Sequence, residues 1–421
     1  MHDPTTARRS AEQTILAVAP GRADDLARLD VLAHADDVPV ITVIGKYNHG
    51  KSSLLNALAG GDVFAVADRR ETTTLSAHEA AGVRWLDAPG LDADVASADD
   101  RAALHAAWQA ADIRLLVHAA REGELDAAER TLLRQLREDD ARTRRQTLFV
   151  LSQVDQVGDE QTLSRVTGAL QAQAPELPLH SASSMRHRKG MEGGKSLMIA
   201  KSGIPGLRQA LDDACARVGD ARRHETTLRL EEIREELEQT ATARDAALST
   251  IRSRQSDARD DFLAGLDAVL ANAGEEIHAA LDVPGTEDAM RPDTSAEFYL
   301  MTAGKLERAR QQLAYAKVNR AIAGYLAGHG VEHLPTRPDS PPRSINTVMV
   351  AVLGISVKFR DDLKRMFCEP AGRARLQARF AHYYELSDDR VALAGDVARA
   401  RDAVAEGAQA LSAWQTLAVA A

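Results

Sequence analysis

Residues 45–52, Gly45-Lys46-Tyr47-Asn48-His49-Gly50-Lys51-Ser52, separate two glycines by four residues and follow the second with a lysine and a hydroxyl. This spacing suits phosphate binding. The glycines let the chain turn so that successive N–H groups converge on an anion, Lys51 reaches the β/γ oxygens, and Ser52 offers its hydroxyl to Mg2+. Flanking residues supply the frame such a loop needs. Val40-Ile41-Thr42-Val43-Ile44 is a short β-branched run suited to a buried parallel strand, and Ser53-Leu54-Leu55-Asn56-Ala57-Leu58 starts a helix. A second string, Gly190-Met191-Glu192-Gly193-Gly194-Lys195-Ser196, is one residue short in spacing and follows no apolar run. It is expected as a flexible loop. Arg186, Arg188, Lys189 and Lys195 make it locally basic, a solvated surface or a contact for phosphate, RNA or lipid headgroups.

Two downstream stretches bear on the same chemistry. Trp85-Leu86-Asp87-Ala88-Pro89-Gly90 sets an acid at a strand end, so Asp87 can hold the Mg2+ shell and Gly90 can offer its N–H to the terminal phosphate. Between the two lies Arg69-Arg70-Glu71-Thr72-Thr73-Thr74, where a mobile loop would give a hydroxyl to Mg2+. Thr73 is the first choice and Thr72 the second; the alternative is that these threonines open the next strand.

The order GKYNHGKSSLLNALAG, RRETTT, DAPG resembles the translation-factor-related P-loop GTPases, particularly their Era-like and bacterial dynamin-like branches, over residues 38–218. The resemblance implies a GTP-binding, GTP-hydrolysing domain that uses Mg2+, with Lys51, Thr73, Gly90 and Asn48 at the reacting phosphate and Gly45, His49, Gly50, Ser52 and Ser53 around the phosphates. It also implies an Asn/Thr-Lys-x-Asp base-reading motif, where this chain has Ser152-Gln153-Val154-Asp155. Asp155 can accept from guanine's ring N–H and exocyclic amine, a pattern adenine does not present. Gln153 lies less well along a base than lysine, and Ser152 is shorter than asparagine, so weakened affinity is expected. Ser181-Ala182-Ser183 resembles the last base-contacting loop, with the Ala182 N–H facing the guanine carbonyl. Leu91 stands where a water-orienting glutamine is found in Ras-like proteins, so another group must position the water. Asn48 matches an asparagine associated with K+ activation in Era-like relatives, or it stabilises the loop; Arg69 and Arg70 are candidate arginine fingers.

The elements that must position these residues alternate. Strand candidates at Val83 to Leu86, Ile113 to His118, Thr147 to Leu151 and Leu177 to His180 are separated by helical patterns. This predicts an α/β fold, a doubly wound and mostly parallel sheet with ligands at the carboxyl ends of its strands. Beyond Val218 the period becomes helical: Leu230, Ile233, Leu237, Leu248, Ile251, Phe262, Leu266 and Val269 form a stripe with few breakers. One helix over residues 222–271 is predicted, a rod or coiled coil leading into helical segments Ala296 to Leu326, Lys358 to Tyr384 and Asp388 to Thr416. The expected domains are 1–37, N-terminal helices packing on the helical part; 38–218, the GTPase domain; and 219–421, a helical bundle or stalk. The apolar stretch from Ile345 to Phe359 is expected as a buried core helix, the alternative being a membrane-touching tip.

Composition narrows the setting. Across 421 residues the formal net charge is −10, which disfavours nucleic acid, and aromatics are only 4% beside 44% hydrophobic residues, a balance that favours helix packing. Cys215 and Cys368 lack metal-ligand spacing and suit a reduced compartment. The start Met1-His2-Asp3-Pro4 has no signal-peptide pattern, and the longest apolar run, Val348 to Ile355, is too short to span a bilayer. The expectation is a cytoplasmic dynamin-like GTPase that binds GTP and GDP and self-associates through its GTPase domains, with a peripheral membrane or protein partner for its helical stalk. The alternatives are an Era-like GTPase acting on ribosomal RNA or a protein, and a weakly hydrolysing scaffold.

Overall fold

A computed structural model describes residues 4–64, 76–87, 105, 108–283, 288–331, 333–334, 343–354 and 359–420. They fall into two compact units, Met1–Gln239 with Gln409–Ala421, and Thr240–Ala408.

The first unit opens with helices α1 (Pro4–Val18) and α2 (Ala23–Ala33), parted at Pro20-Gly21, a pair of helix breakers. Its sheet comprises β1 (Val40–Ile44), β2 (Ser76–Ala80), β3 (Val83–Asp87), β4 (Ile113–Ala119), β5 (Gln146–Ser152) and β6 (Leu179–Ser181). The spatial order is β2-β3-β1-β4-β5-β6, parallel except for the β2/β3 hairpin. Around it lie α3 (Lys51–Ala59), α4 (Ala127–Thr143), α5 (Glu160–Gln173), α6 (Ser184–Glu192), α7 (Ser196–Ala200) and α8 (Ile204–Cys215).

Strand alternation divides the apolar side chains between two layers. Ile41, Val43, Leu115, Val117 and Val150 share one core with Leu54 and Leu55 of α3 and Leu207 and Leu211 of α8. Ile44, Leu116, Phe149 and Leu151 join Leu133 and Leu136 of α4 and Leu170 of α5 on the other face. The predicted doubly wound α/β sheet is thus observed. The β2 strand lies just past the threonines at 72–74, whose alternative reading is to open a strand; Ser-Ala-His-Glu-Ala carries no apolar run, and it pairs because a two-residue turn folds it back onto β3.

Residues 190–196, expected as a flexible loop, instead complete α6 and start α7. Gly190 is buried because α7 packs directly on it, and a Cβ there would lie 2.8 Å from a side-chain carbon of Ile199. Local spacing shows the glycines but not the helix that leans on them.

The predicted long helix is α9 (Val218–Leu281), a single element of 64 residues. Within the first unit its Ile233 and Leu237 pack with Ile15, Leu26, Leu29 and the chain-terminal Leu417. Its other half contributes Phe262, Leu266, Leu270 and Ile277 to the core of the second unit. There they meet α10 (Ala303–Gly328), α11 (Ile345–Leu353), α12 (Arg360–Leu363) and α13 (Pro370–Glu385), and α14 (Asp388–Ala420) closes the chain. Helix α11 buries Val348 and Val352, the core role expected for that stretch, while residues 355–358 lie outside those described.

A buried ionic cluster joins α2 and α9 to the sheet. Glu225 of α9 is fully buried and accepts from Arg28 of α2 (3.0 Å), Arg145 before β5 (2.5 Å) and Arg229 one turn along α9 (2.7 Å). Asp112, just before β4, receives Arg28 (3.2 Å) and Arg222 (2.6 Å). Burial alone would raise the Glu225 carboxyl, but the guanidiniums of Arg145 and Arg28 outweigh it and bring it to about 2.

Because this folded value lies below the ordinary 4.5, Glu225 stabilises the fold above pH 4.5, and that contribution is lost as pH falls toward 2. Glu225→Gln removes the anion that Arg28, Arg145 and Arg229 share, leaving Arg28 its Asp112 and Arg229 its Asp25, and should cost about 3–5 kcal/mol at neutral pH. Denaturant unfolding followed at several pH values checks this: the variant should be less stable at neutrality and lose less stability on acidification than the parent.

Candidate nucleotide-binding site

The loop from Gly45 to Gly50 runs from the carboxyl end of β1 to the first turn of α3, at the strand edge where ligands of such sheets bind. Gly45 is required sterically, since a Cβ there would sit 2.3 Å from the Val117 carbonyl oxygen. Lys51 folds back so that its ammonium donates to the Lys46 carbonyl at 2.9 Å, spanning the loop.

The hydroxyl of Ser52 donates to Asp87 Oδ2 at 2.8 Å. Asp87 is almost fully buried, and its other oxygen, Oδ1, has no hydrogen-bond partner among the described residues. Burial raises its carboxyl above the ordinary aspartate value, against the opposing pull of Ser52 and Lys51. An orphaned buried carboxylate oxygen beside a serine hydroxyl fits Mg2+, which would complete the coordination that this Asp lacks. Ser52 and Asp87 are therefore the residues that would hold the ion. Thr72, Thr73, Arg69, Arg70, Gly90 and Leu91 lie outside the described residues.

Beside the loop opens a cleft of about 390 Å³, lined among others by Gly50, Ser53, Ser152, Gln153, Asp155, Ser184 and Met185. Ser152 and Gln153 secure the loop from the cleft side. The Ser152 hydroxyl lies 2.6 Å from the His49 carbonyl oxygen, and Gln153 Nε2 donates to the Asn48 carbonyl at 2.7 Å. Asn48 takes a left-handed conformation (φ 58°) and its side chain is exposed.

On the far wall the structure differs from the sequence expectation. The Ala182 N–H donates to the Leu151 carbonyl at 2.8 Å, continuing the β5/β6 ladder, so it does not face the cleft, and Ala182 itself is buried. Ser181 lies within β6. Ser183, in contrast, turns toward Asp155, donating to its Oδ1 at 2.5 Å, and caps α6 by accepting from the Arg186 N–H at 3.0 Å. Ser184 and Met185 then occupy the first turn of α6, where amides lack an intrahelical partner and favour an acceptor. Where the strand ladder stops decides this register, and the letters Ser-Ala-Ser do not reveal it.

Behind the loop is a polar hub that the sequence reading missed. His118, at the end of β4, lies 2.8 Å from Glu129 Oε1 through Nδ1 and 3.1 Å from the Gly123 carbonyl through Nε2. Glu129 also accepts from the Asp126 N–H as half of a capping box at the start of α4, and Lys46 pairs with Asp126. Burial pushes the Glu129 carboxyl up, but His118, the capping bond and Lys46 together hold it below its usual value. His49 packs edge-on against His118 with its Nδ1 3.2 Å from the Val117 carbonyl, and burial lowers its basicity. The pattern Asp126-x-x-Glu129 was the available signal, since it marks a helix start.

Similar sequences place the chain among known proteins. Residues 40–153 match the profile of a family described as 50S ribosome-binding GTPase. An uncharacterized protein of Acinetobacter baylyi is 45% identical over 383 residues, covering 91% of each chain. The tRNA modification GTPase MnmE of Laribacter hongkongensis is 31% identical over 136 residues, 30% of this chain and 29% of that protein, so the chain spans less than a third of it. Among solved structures, Aquifex aeolicus Era bound to GDP·AlF4− aligns over 38% of this chain and 55% of that one, at 20% identity and a TM-score of 0.30. The chain belongs to the same family as the Acinetobacter baylyi protein, and its sheet unit is a P-loop GTPase domain.

Proposed function

We propose that the protein is a Mg2+-dependent GTP hydrolase of dynamin-like type, in which nucleotide-driven ordering and pairing of the GTPase domains move the helices attached to them. The observation that carries this reading is the fastening of residues 108–111. They follow the Asp87–Gly90 stretch expected to sense the terminal phosphate. Arg28 donates to the carbonyls of Gln109 (2.8 Å) and Ala110 (3.2 Å), and Arg145 to those of Trp108 (2.9 Å) and Ala111 (3.3 Å). Both arginines are held by Glu225 of α9. Displacement of residues 108–111 would therefore be felt at the root of the long helix.

In this reading Lys51 and the loop amides hold the β/γ phosphates, Ser52, Asp87 and Thr73 hold Mg2+, and Gly90 senses the γ-phosphate. The base lies in the cleft with Asp155 accepting from guanine's N–H groups and the amides of Ser184 and Met185 toward its carbonyl. Asn48 carries an exposed amide at the loop, suited to a K+ ion that would supply charge at the reacting phosphates.

A second reading is favoured by the description of the matching family and by the MnmE relatives: a nucleotide-gated GTPase that acts on ribosomal RNA or a protein partner. The net charge of −10 counts against its RNA form. GTP-dependent, salt-sensitive sedimentation with ribosomal subunits would select it.

Phosphate release tests the leading reading. Turnover per molecule should rise with protein concentration, favour GTP over ATP, exceed its sodium level in potassium, and vanish in Lys51→Ala. Replacing Asn48 with Ala should bring the potassium-to-sodium ratio to one. Concentration-independent turnover would remove pairing from the mechanism.

The base pocket has its own test. Asp155→Asn replaces one of two acceptor oxygens with an NH2 donor facing guanine's donors and should weaken GDP binding about a hundredfold. Xanthosine diphosphate, with a carbonyl in place of the amine, should regain that affinity. Ser183→Ala, which removes both the cap and the hydroxyl on Asp155, should cost about 1 kcal/mol of stability and weaken GDP about tenfold by calorimetry.

A further inference from the structure

We propose that the turn at residues 298–301, in the second unit, is a membrane-docking element that seats in the interfacial layer of an anionic phospholipid surface. Phe298, Tyr299, Leu300 and Met301 are consecutive and 69%, 94%, 59% and 70% exposed. Exposed apolar residues scattered singly need no explanation, but four in a row on one turn do. None of them belongs to the core of the unit, which is built from Phe262, Leu266, Ile322, Phe367 and Phe380.

The turn is a held conformation. The ammonium of Lys305 donates to three of its carbonyls, those of Glu297 (2.7 Å), Phe298 (2.8 Å) and Leu300 (2.8 Å). Thr294 and Glu297 close a capping box on one side, and Thr302 caps α10 on the other by accepting from the Lys305 N–H at 3.2 Å. Phe298 and Tyr299 meet edge-on with centroids 5.1 Å apart. Polar backbone groups are thus tied inward while the apolar side chains point away. Leu306 and Leu313, seven residues apart on α10 and also exposed, extend apolar surface along one helix face.

The shape and the charge select the occupant. A side chain as exposed as Tyr299 has almost no protein wall around it, so the turn is a protrusion, which a fluid lipid interface can admit without a matching pocket. Phenylalanine, leucine and methionine bodies with a tyrosine hydroxyl suit the headgroup boundary. Residues 288–320 hold six Lys or Arg against four Asp or Glu, a net +2 in a chain of net −10. Arg291, beside the turn, is well exposed and only loosely paired with Glu297 (3.9 Å), a contact it can exchange for a lipid phosphate. Among the described residues no helix is long and apolar enough to cross a membrane. The contact is therefore peripheral, and single turns of this kind bind weakly unless several act together. This strengthening by assembly rests on the pairing proposed above; the turn itself does not.

The test is flotation of the full chain with vesicles of phosphatidylcholine alone or mixed with phosphatidylglycerol, with and without GTP. The comparison is a variant carrying Phe298→Ser, Tyr299→Ser, Leu300→Ser and Met301→Ser. The parent should float with the anionic vesicles and the variant should lose about tenfold or more in partition, with lipid-free GTP turnover and melting temperature matching the parent. In addition, Tyr299→Trp should show a vesicle-dependent blue shift in emission beyond that of the parent. A parent that does not float while its turnover still rises with concentration would overturn the lipid contact and leave the proposed function standing. Flotation lost in the variant, with turnover flat in concentration, would support the turn and remove pairing. If the parent does not float and the serine variant instead becomes monomeric in sedimentation, the surface belongs to a second copy and the lipid proposal falls.

Discussion

A carboxylate with no exposure to water must be surrounded by cations, and Glu225 meets this condition with Arg28, Arg145 and Arg229. Each arginine comes from a different part of the chain or a different turn, so satisfying one anion fixes α2, the approach to β5 and the root of α9 against each other. Asp112 extends the arrangement to the start of β4, where it also accepts from the Val40 N–H at 2.9 Å. Such clusters seldom raise stability over an apolar core, since desolvation offsets much of the attraction. Their directional bonds instead make one arrangement of the helices far better satisfied than its alternatives.

The two ends of the sheet treat polar groups in opposite ways. At the amino ends of β4 and β5, Glu225 and Asp112 are saturated by arginines. At the carboxyl ends, Asp87 keeps an oxygen without a partner among the described residues, and the first turns of α3 and α6 present amides whose intrahelical acceptors do not exist. Saturation at one end fits a frame, and deficiency at the other fits the ligand site proposed there. Residues 108–111, which lead into β4, are gripped through their carbonyls by Arg28 and Arg145 at the saturated end.

The departures from the expected base motif alter the chemistry without detaching the loop. Ser152 and Gln153 reach the carbonyls of His49 and Asn48, so the phosphate loop remains fastened to β5 from the cleft side. Glu129 and Asp126 fasten it from behind through Lys46. In the second unit Phe262 stacks on Tyr384 with centroids 3.9 Å apart at the centre of a closed core. The Phe298–Met301 turn is left out of that core.

The sequence by itself determined the features that rest on local pattern. The phosphate loop followed from glycine spacing between a β-branched strand and a helix start, Asp87 from its place at a strand end, and α9 from an apolar stripe with few breakers. What the tertiary structure decided were the features that depend on residues distant in sequence. The edge strand β2 exists because a turn brings it to β3, and Gly190 is buried because Ile199 packs on it. The hydroxyl that meets Asp155 belongs to Ser183, since the β5/β6 ladder consumes the Ala182 amide. Nor does any spacing bring Arg28, Asp112, Arg145 and Glu225 together. Periodicity records which face of an element turns inward, but the pairing of buried charges depends on how those faces meet, and that is settled only when the chain is folded.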